Sequence, residues 1–200
     1  FKTDLIPPPR QPQSIAETPL AHGSTAPVSQ IMLDEQSLAD LTECCKNTKK
    51  LIQWLDSIDR RPGLKELDQK LASMHVDMEA LKRNIRFVEK GYQRNVLKNN
   101  EHYELVAICW KPDQETPIHD HVGSDCAFLI LEGVSTETIY TADHQNLAEQ
   151  QYKREYQPGE VCAAEEQDIH KVSNETKGDL INLHVYTPPL SGFQIYQEKQ

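Results

Sequence analysis

The spacing of apolar residues changes twice along the chain. Residues 1–33 have little apolar periodicity and hold six of the twelve prolines. Pro7-Pro8-Pro9 admits only extended backbone. A flexible, Pro-rich N-terminal segment without a core of its own is expected over 1–33. Leu38, Leu41, Cys45, Leu51, Ile52 and Leu55 then recur at three- and four-residue steps, which predicts a helix over 36–57. Arg61-Pro62-Gly63 interrupts it. Leu64 to Leu71 and Met74 to about Phe87 predict two shorter helices, with Val76, Met78, Leu81, Ile85 and Val88 as the buried face. A helical region over 34–88, packed on the C-terminal part of the chain, is therefore expected.

From Tyr103 the period is that of strands. Tyr103 to Trp110, Cys126 to Leu131, Ser135 to Tyr140, Gln151 to Tyr156, Glu160 to Ala164, His170 to Val172, Leu180 to Tyr186 and Phe193 to Tyr196 read as strands. Pro112-Asp113, Glu132-Gly133, Pro158-Gly159, Lys177-Gly178-Asp179 and Pro188-Pro189 punctuate them. Many short strands with turn signals between them predict a sandwich or barrel over 89–200. The fold class expected is mainly β with N-terminal α-helices.

A length of 200 residues suits one such domain with its helical extension. The hydrophobic share of 38% supports a core, and a mean hydropathy of −0.65 a very polar surface. A net charge of −10 argues against nucleic acid and against an anionic membrane surface as partners. No apolar run approaches the ~20 residues needed to span a bilayer. The five cysteines, at 44, 45, 109, 126 and 162, form no C-x-x-C pair. A reducing, cytoplasmic setting is expected, with one of Cys44 and Cys45 facing the core and Cys109 and Cys162 inside it. Phe1 stands where an initiator Met would, so a processed or trimmed start is expected, and no signal-peptide apolar region is visible.

The candidate chemistry begins at Ile118-His119-Asp120-His121. On a strand an H-x-H pair puts both imidazoles on one face. A third histidine from a neighbouring strand, His170, completes a set of neutral nitrogen donors suited to divalent Fe, Zn, Cu or Ni. His119, His121, Cys126 and Gly133 fall on the spacing of the first cupin motif, with Cys126 where Glu is usual. Gly159, His170 and Asn174 fall on that of the second, with Glu165 and Gln167 in place of the usual Pro and Gly. Cys109-Trp110, Ile169-His170-Lys171-Val172-Ser173-Asn174, Leu183-His184-Val185-Tyr186-Thr187-Pro188-Pro189 and Tyr92-Gln93-Arg94-Asn95 add further matches. Over roughly residues 90–190 the chain resembles the thiol dioxygenases of the cupin superfamily, the cysteine dioxygenase family in particular.

That resemblance implies a small cupin barrel in which His119, His121 and His170 bind Fe(2+). It implies a reaction in which L-cysteine and O2 give cysteine sulfinic acid, the sulfinic step of thiol oxidation, and so a place in cysteine catabolism. Arg94 would clamp the substrate carboxylate with its planar fork, helped by Tyr92. Relatives that prefer 3-mercaptopropionate carry Gln at that position. Trp110 would wall the pocket. Tyr186 would lie beside the open coordination sites, oriented by His184, with Asn182 where the family often has Ser. Period two puts Asn182, His184 and Tyr186 on one strand face. In animal-type relatives the residue matching Cys126 is joined to the one matching Tyr186 by a thioether bond, and this chain has both partners. A single-chain protein is expected, as is usual for relatives of this size. The competing readings are a dioxygenase of another small thiol, such as 3-mercaptopropionate, a Zn or Mn cupin isomerase or hydrolase, and a non-catalytic metal-binding cupin.

Overall fold

The computed structural model describes residues 28–200. A short strand, β1 (Val28–Met32), precedes four helices, α1 (Glu35–Cys44), α2 (Lys46–Ser57), α3 (Leu64–Ala72) and α4 (Met78–Asn84). Ten strands come after them: β2 (Tyr92–Asn99), β3 (Glu104–Trp110), β4 (Ile118–His119), β5 (Asp125–Glu132), β6 (Ser135–Ala142), β7 (Leu147–Tyr156), β8 (Val161–Ala164), β9 (Ile169–Ser173), β10 (Leu180–Thr187) and β11 (Ile195–Glu198). They form a six-stranded sheet in the order β1-β2-β3-β10-β5-β8 and a small closed barrel of β11, β4, β9, β6 and β7. The fold is thus mainly β with N-terminal helices.

Local chemistry sets the helix ends. Asp34 caps α1 by accepting from the Ser37 N–H at 2.8 Å. Asp77 caps α4 by accepting from the Ala80 N–H at 3.0 Å, so the helix predicted from Met74 starts only at Met78. The helix predicted over 36–57 is two helices. Cys45 between them is extended, at φ −120° and ψ 96°, and buried, and the Thr48 hydroxyl donates to its sulfur at 3.1 Å. Its neighbour Cys44 is exposed.

The sheet is covered on both faces, which explains the continuous apolar runs of its central strands. Leu105, Ala107 and Cys109 of β3, with Ile181, Leu183 and Val185 of β10, pack under Leu41, Leu55, Leu67, Leu71 and Leu81 of the helices. Burying each such leucine is worth about 1.5–3 kcal/mol. The alternate residues turn inward: Val106, Ile108 and Trp110, Cys126, Phe128 and Ile130, and Tyr186. Gly133, after β5, has φ +80°, and a Cβ there would stand 2.3 Å from the Asp179 carbonyl oxygen. That turn requires glycine.

Two further expectations need correction. Residues 28–32, placed by sequence in the coreless Pro-rich segment, form β1, which runs parallel to β2 with Gln30 opposite Arg94. Backbone pairing holds this strand, and none of its residues is fully buried, so apolar patterning does not reveal it. Residues 1–27 lie outside the described residues. The H-x-H pair does not share a strand: β4 ends at His119, and His121 lies beyond it. No helix among the described residues is long and apolar enough to cross a membrane.

Candidate active site

Three imidazoles converge inside the barrel. His119 and His170 are direct cross-strand partners in the antiparallel β4–β9 ladder, and His121 folds in from the segment after β4. Ligand nitrogens of the three lie within 4.8 Å of one another, and all three residues are buried. His119 Nδ1 is 2.8 Å from the Pro117 carbonyl oxygen, so it carries the proton and leaves Nε2 with its lone pair. His170 Nδ1 is 2.7 Å from Glu137 Oε2, with the same consequence. Burial, reinforced by His170, pushes His119 down to about 3. Burial and the neighbouring histidines push His121 down as well. His121 Nδ1 is buried without a hydrogen-bond partner among the described residues. Close imidazole nitrogens, one of them an unpartnered buried ring nitrogen, fit a divalent transition ion, which His119, His121 and His170 would hold.

Behind the imidazoles lies a layer that sequence reading missed. Glu137 of β6 is buried and accepts from three donors. His170 Nδ1 and Cys162 Sγ reach Oε2 at 2.7 and 3.1 Å, and Arg154 Nε reaches Oε1 at 2.7 Å. Burial works against its charge, but these hydrogen bonds prevail and hold its carboxyl down at about 2. A carboxylate behind a ligating histidine fixes the tautomer and ring orientation. Its signal in the sequence is a charged residue two positions before Ile139 on an alternating strand. Asp120, between the two histidines of the H-x-H pair, is equally buried. It accepts from the Gln194 N–H at 2.9 Å and from the Tyr196 hydroxyl at 2.8 Å, which ties the C-terminal segment and β11 to the histidine loop. At the rim, Arg61 forks onto Asp125 at 2.8 and 2.9 Å and pairs with Glu166, so the α2–α3 connection clamps the loop after His121.

A second group lines the inner face of the six-stranded sheet. Asn182, His184 and Tyr186 alternate along β10 and are buried. Trp110 Nε1, which can only donate, reaches Asn182 Oδ1 at 2.9 Å. His184 Nε2 lies 2.9 Å from the same oxygen, so the proton is on Nε2 and Nδ1 is an acceptor. The Tyr186 hydroxyl, 3.2 Å away, therefore donates to His184 Nδ1. Burial drives His184 well below and Tyr186 well above their ordinary ranges, so both are neutral at pH 7. Phe128 stacks on His184, and Tyr92 stacks on Trp110 with centroids 4.5 Å apart. Cys126 is the direct cross-strand partner of Tyr186 in the β5–β10 ladder, and burial pushes its thiol up. Arg94 of β2 is half-buried beside Tyr92 and Tyr186, whose electrostatic influence it feels. Its guanidinium meets Gln30 and Glu104. The structure thus brings together the histidine triad, and separately Asn182, His184, Tyr186, Cys126, Trp110, Tyr92 and Arg94 around one inner face.

Comparison with known proteins gives a consistent picture. The model of the family described as cysteine dioxygenase type I matches residues 44–199. Cysteine dioxygenase type 1 of Rattus norvegicus is 27% identical over 119 residues, which cover 57% of this chain and 60% of that protein. The Danio rerio protein of the same name is 25% identical over 124 residues, with the same coverage. The chain thus spans about three-fifths of the length of the curated relatives it matches. Among solved structures, a conserved protein with a double-stranded β-helix domain from Klebsiella pneumoniae is 18% identical, with a TM-score of 0.47 over 59% of this chain and 95% of that one.

Proposed function

The chain belongs to the cysteine dioxygenase type I family of the cupin superfamily, and from that premise we propose that it is an Fe(II)-dependent thiol dioxygenase converting L-cysteine and O2 to cysteine sulfinic acid. The observation that carries this reading is the buried set of three imidazoles whose ligand nitrogens lie within 4.8 Å of one another. When bound there, Fe(II) would supply positions for the substrate thiol and for activation of dioxygen. Both oxygen atoms end on the cysteine sulfur, the sulfinic level of thiol oxidation.

The remaining work falls to the protein. Arg94 binds the substrate carboxylate and turns the thiol inward. The stacked rings of Tyr92 and Trp110 wall the pocket and keep it dry. Tyr186 holds its phenolic proton against His184 Nδ1, and turning that O–H toward substrate makes it a donor to developing negative charge. Asn182 and Trp110 hold His184 in the tautomer this requires. Cys126 and Tyr186 form a thioether: a C–S bond replaces S–H and ring C–H, and dioxygen takes the two electrons. Their direct cross-strand register supports that assignment. The five unpaired cysteines support a cytoplasmic setting.

The test is aerobic incubation of the iron-loaded protein with L-cysteine and with 3-mercaptopropionate, following dioxygen uptake and sulfinate by mass spectrometry. Cysteine sulfinate as the favoured product is expected. Preference for 3-mercaptopropionate would overturn the role given to Arg94, and turnover of neither thiol would overturn the dioxygenase reading.

A further inference from the structure

Arg94 already has partners before any substrate arrives. Its Nη1 donates to Gln30 Oε1 at 2.5 Å, and its Nη2 is ion-paired with Glu104 Oε1. Gln30 faces Arg94 across the parallel β1–β2 ladder. Glu104 begins β3, opposite Tyr186 in the β3–β10 ladder, and its second oxygen accepts from Asn99 Nδ2 at 3.3 Å. A guanidinium has more N–H donors than these two acceptors use, and Tyr92 and Tyr186 lie close enough to bear on its charge. The charges of Arg94 and Glu104 cancel, and Gln30 accepts a hydrogen bond without adding charge. Gln30 also lies outside the residues that match the family.

We propose that Gln30 and Glu104 are specificity-determining positioning residues: Glu104 is the resident counter-ion of Arg94, Gln30 its neutral partner, and together they set the charge that an incoming substrate carboxylate meets. This rests on the reading of Arg94 as the carboxylate clamp. A half-buried guanidinium is stabilised by a counter-ion when the pocket is empty, and the buried Glu104 provides it. The substrate carboxylate then shares the fork with Glu104 and binds less tightly than it would to a bare guanidinium. A second protein carboxylate at position 30 would turn the cluster negative and repel it.

Two shape-preserving substitutions separate charge from structure. Anaerobic calorimetric titration of the iron-loaded 200-residue chain would compare L-cysteine with cysteamine, its analogue without the carboxylate. Gln30→Glu is expected to weaken L-cysteine binding about tenfold or more and leave cysteamine unchanged, because like charges brought together across a contact repel. Glu104→Gln is expected to strengthen L-cysteine binding several-fold, again sparing cysteamine. Ile31→Ala, which weakens the seating of β1 without touching Arg94, is expected to change neither affinity. Equal shifts for both thiols, or none in Gln30→Glu, would overturn the proposal; weaker L-cysteine binding in Glu104→Gln would overturn the counter-ion assignment. If Glu104→Gln does not fold, the Gln30→Glu comparison decides alone. Binding that shows the expected pattern without sulfinate formation in air would sink the dioxygenase reading and leave this inference standing.

Discussion

Glu137→Gln keeps the shape of the side chain and removes its charge, at a position that touches no substrate. The carboxylate now accepts from His170 Nδ1 at 2.7 Å and Cys162 Sγ at 3.1 Å on one oxygen, and from Arg154 Nε at 2.7 Å on the other. An amide offers one acceptor oxygen where the carboxylate offers two. If that oxygen turns to Arg154, the NH2 group faces His170. The imidazole must then move its proton from Nδ1 to Nε2, and a protonated Nε2 has no lone pair for a metal. If the oxygen turns to His170, the NH2 group meets the Arg154 N–H. Arg154 is about half exposed, at 46%, and can swing into water, so this second arrangement costs less and some metal binding survives. Loss of such a partner behind a metal-binding histidine lowers metal affinity about 10–100-fold, or about 1.4–2.8 kcal/mol. Competition between the iron-loaded protein and a chelator of known affinity measures it, with circular dichroism to establish that the variant is folded. A folded variant whose iron affinity stays within about twofold of the parent would refute the argument.

Other consequences are as direct. Gly133→Ala places a Cβ at positive φ and against the Asp179 carbonyl; about 2–4 kcal/mol of destabilisation is expected, a fall of about 5–15 °C in Tm, and a fall under about 2 °C would contradict it. Cys44 alone among the five cysteines is exposed, so a thiol reagent should label one sulfur in the native protein and all five after denaturation, or one fewer wherever the Cys126–Tyr186 thioether has formed. Rapid labelling of a second native thiol would be inconsistent with that burial. Burial pushes the Cys109 thiol up from 9.0 to about 12. A folded-state value above the unfolded one contributes stability that is whole below pH 9 and lost as pH climbs toward about 12. The Tm should therefore fall more steeply above pH 9 in the parent than in Cys109→Ala, and parallel slopes would exclude the effect.

How much of the fold is legible in the sequence depends on which forces leave a local pattern. The two-faced burial of β3 and β10 is written as unbroken apolar runs, and Asn182, His184 and Tyr186 share a face because strands alternate. Gly133 was recognisable by motif spacing, and the Asp179 carbonyl supplies its physical reason. The break at Cys45 carries no glycine or proline to announce it, and one of the contacts its sulfur makes there, to the His75 carbonyl, is remote in sequence. β1 was invisible for a similar reason: it is held by a backbone ladder to β2, which side-chain hydrophobicity does not report. Asp120 and Glu137 were missed because their partners, Gln194 and Tyr196 in one case and Cys162, Arg154 and His170 in the other, are remote in sequence. Only the folded barrel brings them together.

The parallel pairing of β1 with β2 also guards the solubility of the sheet. Strands at sheet borders present unpaired N–H and C=O groups that invite other chains to add on. Here the border is a five-residue strand, and the longer β2 is sheltered behind it. A shortened protein cut to residues 44–199 would keep all three histidines and the whole inner face, yet leave the eight residues of β2 as an open border. Such a fragment would be expected to self-associate along that border, so the boundary suggested by family likeness is a poor place to begin the chain.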